Sequence, residues 1–117
     1  MEFFINQNDT LPLLKMEVVQ DGRTDSHKTF NAELDNSTIR FSMKNTENGL
    51  STIIMNNAYI TTKKLINPDS PKEYIIYYKW SDKDTKRKGR YIGEFHIVNS
   101  MGEMIGPIAE NLYINIV

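Results

Sequence analysis

The chain has 117 residues, of which 39% are hydrophobic and 25% charged, and its formal net charge is −1. That fits one globular domain with a single core, gives no bulk attraction to nucleic acid or an anionic membrane, and leaves no apolar run near the roughly 20 residues that span a bilayer. Cysteine is absent, which excludes a disulfide framework, a thiolate zinc site and a cysteine nucleophile.

In chain order, Glu2 to Asn6 comes first, with Phe3, Phe4 and Ile5 reading as an edge strand or an arm. The opening MEFFINQNDT has no basic segment leading into a long apolar one, so no secretory signal is expected, and the sequons at Asn8 and Asn36 read as inert. Pro12 lacks a backbone donor, so a new strand should begin at or just after it. Leu14, Met16 and Val18 then share one face, and Asp21-Gly22 signals a turn. Arg23 to Leu34 is polar and poorly patterned, a loop with a short strand expected at Phe30 to Leu34. Thr38 to Lys44 alternates cleanly, placing Ile39, Phe41 and Met43 inward. Ser51 to Lys63 is rich in β-branched residues but broken at Asn56-Asn57, giving two short strands or one bulged strand. Asn67 to Pro71 reads as a rigid, exposed connection.

The stretch Glu73 to Asn99 organises the rest. Tyr74, Ile76, Tyr78 and Trp80 fall on one face of a first strand, and Tyr91, Gly93, Phe95 and Ile97 on one face of a second. The charged residues between them read as a hairpin tip, Asp82 to Arg90. Ser100 to Pro107 is expected to be a loop. Asn111 to Val117 is a closing strand, with Leu112, Ile114 and Ile116 inward and Tyr113 and Asn115 outward. No long stretch keeps apolar residues at helical spacing. The expectation is an all-β fold, a single immunoglobulin-like antiparallel β-sandwich of about seven to nine short strands over residues 1–117. Asp84, Gly89 and Tyr91 are spaced like the tyrosine corner of such sandwiches, with Trp80 expected at the core edge against Tyr91 or Phe95.

Chemistry is thin. His27 and His96 are the only neutral-pH proton carriers, and neither has a nucleophile and orienting group beside it in sequence. Asp82 and Asp84 are two carboxylates in a loop, but an EF-hand needs further acidic ligands where Lys83, Lys86, Arg87 and Lys88 stand. No catalytic residue, metal or cofactor is expected. Lys86, Arg87 and Lys88 with Arg90 form the one dense positive cluster, suited to an acidic partner surface or to phosphate. A nucleic-acid role would want a broader basic face. Ile75, Tyr77, Ile92 and Tyr113 fall on outward positions and would mark a contact surface if clustered. The arm with Phe3 and Phe4 is a second candidate, able to add a strand to a neighbour's sheet edge.

Several segments together resemble the N-terminal immunoglobulin-like domain of phage baseplate upper proteins of the BppU type. They are Asn8-Asp9-Thr10-Leu11-Pro12-Leu13-Leu14, Ile39-Arg40-Phe41-Ser42-Met43, Tyr78-Lys79-Trp80, Asp84-Thr85, Gly89-Arg90-Tyr91, Glu94-Phe95, Pro107 and the closing Tyr113 to Ile116. The resemblance implies a virion structural module made in the host cytoplasm. It would dock tail, baseplate, head or fibre components by protein–protein contact, in several copies of a symmetric assembly, with no membrane or nucleic-acid partner. Trp80, Asp84, Gly89, Tyr91 and Phe95 would then be scaffold. Phe3, Phe4, Ile75, Tyr77, Lys86, Arg87, Lys88 and Arg90 would be the candidate partner contacts. Capsid decoration is an alternative role. A carbohydrate-binding sandwich using Tyr77, Tyr113 or Tyr59 is another.

Overall fold

The computed structural model describes residues 1–18, 36–62, 74–100, 102–108 and 110–117. The expected strand at Phe30 to Leu34, the connection at Asn67 to Pro71 and His27 lie outside the described residues. Among those described there are nine strands and no helix: β1 (Glu2–Ile5), β2 (Leu14–Val18), β3 (Thr38–Asn45), β4 (Ser51–Asn57), β5 (Tyr59–Thr62), β6 (Tyr74–Tyr78), β7 (Gly89–Asn99), β8 (Gly102–Gly106) and β9 (Leu112–Ile116).

They form an all-β sandwich. One sheet runs β1-β9-β7-β3-β4, with β8 also on β7, and the facing sheet runs β2-β6-β5. The alternation in the sequence is what builds the interior. Ile39, Phe41 and Met43 of β3, Tyr91, Phe95 and Ile97 of β7, and Leu112, Ile114 and Ile116 of β9 face Leu14 and Met16 of β2 and Tyr74, Ile76 and Tyr78 of β6, all buried. Each fully buried side chain of this size contributes about 1.5–3 kcal/mol. β2, β5 and β6 in one layer, with β3, β4, β7 and β9 in the other, is the immunoglobulin partition, and β4 takes the extra place beside β3 found in variable-type domains.

Three features depart from the sequence expectation, and a fourth decides between its alternatives. β6 and β7 are not hairpin partners: β6 pairs with β2 and β5, and β7 with β3, β8 and β9. Two aromatic faces of that size cover each other from opposite layers, whereas a hairpin would set them side by side. β1 runs parallel to β9, Glu2 opposite Tyr113 and Ile5 opposite Ile116, so the larger sheet is mixed. Of the two readings of Ser51 to Lys63, two short strands is the one found, and they lie in different sheets, the chain crossing at Ala58 from β4 to β5. Residues 102–106, expected in a loop, are β8: β7 runs on to Asn99, and Gly102 lies opposite it.

Gly93 shows how the core closes without a disulfide. In antibody domains the position two residues after the corner tyrosine holds the second half-cystine. Here it is glycine, and a Cβ would lie 2.7 Å from Ile114 Cδ1 and 2.9 Å from Cε1 and Cζ of Phe41. The Phe41 ring occupies that space.

Candidate functional site

The loop joining β6 to β7 is where the sequence motif lies, and the motif residues Asp84, Thr85 and Tyr91 are bonded into the rest of the chain. Tyr78 Oη donates to Asp84 Oδ2 at 2.7 Å and accepts from Asn56 Nδ2 at 3.2 Å, while Ser81 N–H donates to the same Asp84 oxygen at 2.9 Å. Burial pushes the Tyr78 phenol well above its ordinary range; the Asn56 bond opposes this and the Asp84 carboxylate adds to it. Thr85 is fully buried and donates to the Asp9 carbonyl at 2.8 Å, and Asn8 N–H donates to the Thr85 carbonyl at 3.0 Å. Gln7 Nε2 adds a bond to the Lys86 carbonyl at 2.8 Å. Tyr91 Oη donates to the Arg87 carbonyl, four residues upstream, at 2.9 Å, which is the tyrosine-corner geometry. Gly89 beneath that ring has φ 153°, and a Cβ there would sit 3.5 Å from the Tyr91 ring.

Trp80 packs elsewhere than expected. It stacks on Phe3, ring centres 5.9 Å apart, and meets Phe41 and Tyr78 edge-on. It follows a strand of the smaller sheet, so its ring reaches across to β1 and β3 instead of lying beside Tyr91. Phe95 is fully buried against Phe41.

The basic cluster divides. Lys86, Arg87 and Lys88 are exposed on the loop. Arg90 is already on the outer face of β7, where it pairs with Glu2 at 2.8 Å and lies 3.9 Å from the centre of the Tyr113 ring. β1 is therefore pinned to its own sheet. Phe3 faces the core and Phe4 is 61% exposed.

The outward apolar residues do not share a face. Ile75 and Tyr77 lie on the smaller sheet, and Ile92 and Tyr113 on the larger. Their strands belong to opposite layers, so their outward sides point apart. Tyr77 stacks on Tyr59 at 5.4 Å, with Lys79 Nζ 4.9 Å from the Tyr59 ring centre. A hollow of about 460 Å³ on the larger sheet is lined by Lys44, Thr46, Gly49, Arg90, Ile92 and Tyr113. His96 lies beside Glu94, Nε2 to Oε2 3.5 Å. Among the described residues, no three His, Cys, Asp or Glu side chains are placed to hold a metal ion.

The surface that sequence reasoning missed is the edge formed by β4. Its pairing with β3 shifts register twice, between Phe41 and Met43 and between Met43 and Lys44. The bulges push out Ile54, which is 70% exposed, and Met55, which is 43% exposed, and Leu50 just before the strand is 64% exposed. Met55 has φ 49°, an uncommon conformation for a bulky side chain, with its N–H bonded to Ser42 Oγ at 2.9 Å. One signal was available: no charged residue occurs from Asn48 through Thr62, the longest such stretch in the chain.

No protein-family model matches this chain, and no curated protein or solved structure is found to be similar to it.

Proposed function

We propose that the chain is a non-enzymatic structural protein of a phage particle, a sandwich module that joins tail, baseplate, head or fibre components through protein–protein contacts. The observation that carries this reading is the β4 edge. Ile54 and Met55 on β4 and Leu50 just before it stand in water, and exposed apolar side chains gathered along one edge mark a contact surface. The motif residues shared with the baseplate family are consistent with scaffold: Asp84, Thr85 and Tyr91 spend their polar groups on the chain's own backbone or on Tyr78. A sugar-binding role is less well served, because Tyr59, Tyr77 and Tyr113 each already meet a ring or a cation.

Deleting the gene from the genome that encodes it tests the reading. A connector leaves particles incomplete, lacking the component it joins. Whole particles that merely adsorb poorly to cells would favour glycan binding, and whole, fully infectious particles would refute both.

A further inference from the structure

We propose that Lys86, Arg87 and Lys88 of the β6–β7 loop form the docking point for an acidic surface on a protein that this chain joins. The inference rests on the reading of the chain as a connector and names the partner's chemistry at one place on it. All three side chains are exposed. Beneath them the backbone is fixed. The carbonyls of Thr85, Lys86 and Arg87 accept in turn from Asn8 N–H at 3.0 Å, Gln7 Nε2 at 2.8 Å and Tyr91 Oη at 2.9 Å. Three consecutive carbonyls are thus held from two other parts of the chain, and the Thr85 side chain before the cations is fully buried. The loop presents its charges on a backbone already in place, so binding has little of that backbone left to order.

Charge selects the partner. The chain as a whole carries −1, so three adjacent cations make a local pole on a molecule with no net attraction for anions. Among the described residues no salt bridge is made to any of the three. The carboxylate closest to them in the loop, Asp84, accepts from Tyr78 and Ser81 instead. Carboxylates on a partner therefore meet cations with no competing ion pair to break. A nucleic-acid strand fits less well. The positive strip is three residues, about 10 Å of chain, short against the roughly 4–16 nucleotides that single-strand grooves follow. The neighbouring aromatic rings of Tyr78, Trp80 and Tyr91 are buried and offer no face for a base. Exposed Asp82 in the same loop, and Asp9, whose carbonyl holds Thr85, add negative charge beside the strip.

Solvent-exposed ion pairs add little to affinity and much to encounter rate and orientation. Contact at the loop therefore steers and orients the partner, and other contacts hold it. Such steering weakens as salt screens the charges.

A nuclear magnetic resonance titration of the purified, isotope-labelled chain tests this, with a polyglutamate peptide of about ten residues as probe in about 20 mM salt, where surface charges are little screened. The expected result is a saturable shift of the Lys86, Arg87 and Lys88 amides. Raising salt to about 0.3 M, or combining Lys86→Glu with Lys88→Glu, should weaken the binding about tenfold or more. Lys15→Glu, exposed on β2, should leave it unchanged. Unchanged thermal melting confirms that each variant folds. The inference is overturned by an absent shift, by equal shifts at the exposed Lys15 and Lys44, or by indifference to the double charge reversal. An oligothymidylate of about ten nucleotides that binds the loop more tightly than the peptide also overturns it, in favour of nucleic acid. A loop that ignores the peptide in a chain nevertheless present in purified particles overturns the docking point and leaves the connector reading standing. Peptide binding at the loop by a chain absent from particles does the reverse.

Discussion

Gly93 and Gly106 differ in what a methyl group would meet, and this makes them a paired test of how the core is packed. At Gly93 the obstacle includes the Phe41 ring, itself fully buried, so Gly93→Ala is expected to cost about 1–3 kcal/mol in urea unfolding. At Gly106 the close atom is the terminal methyl of Met16, 2.6 Å away, which can swing aside, so Gly106→Ala should cost less than about 1 kcal/mol. Equal losses would mean that the Phe41 ring does not fill the space above Gly93. Tyr78 gives a pH test. Its folded-state pKa is raised, so the stability it contributes is complete below the phenol's usual pKa of about 10 and is lost as pH rises through and beyond that value. The urea midpoint of the native chain should therefore fall more steeply above about pH 10 than that of Tyr78→Phe; parallel curves would contradict the assignment. The inward faces of β2, β3, β6, β7 and β9 were legible at this scale, because alternation with period two is a property of single residues. The partners of Trp80 were not, since they depend on which layer the residue's strand joins.

At the scale of elements, the link between the first turn and the β6–β7 loop carries the prediction. Thr85→Val keeps the volume but strands the Asp9 carbonyl, and should lower stability by about 1–3 kcal/mol, measured by urea or thermal unfolding. Loss of the exposed Arg90–Glu2 pair through Glu2→Gln should lower it by less than about 1 kcal/mol, since solvent-exposed ion pairs contribute little. If Glu2→Gln proved the costlier change, β1 would be held by its charge and not by its ladder and the Phe3–Trp80 stack. β3, β6, β7 and β9 could be read from pattern, because each buries one full face. β8 could not: its Gly-Glu-Met-Ile-Gly is short and glycine-bounded, and it is a strand because β7 extends far enough to pair with it. Pairing was equally hidden, since β6 and β7 carry similar faces whether they lie in one sheet or in two. The bulges that expose Ile54 and Met55 arise from the register against β3, which no local pattern encodes.

On the scale of the whole molecule, the sandwich ties Asp84, Thr85 and Tyr91 into its own chain and leaves its edges, outer faces and the exposed lysines and arginine of the β6–β7 loop as the means of meeting other molecules. The β4 edge, where Ile54 and Met55 are exposed, is the surface on which the proposed connector role depends most. Substituting lysine there should change assembly without changing the fold, whereas Gly93→Ala or Thr85→Val should change stability first and assembly only through it. The measurement that bears most directly on the connector role is quantitative mass spectrometry of purified particles made by the genome that encodes this chain. The role predicts the chain in those particles at a fixed copy number that is a simple ratio to a tail, baseplate or capsid protein. Its absence from intact, infectious particles, with the chain abundant in the host lysate, would contradict it.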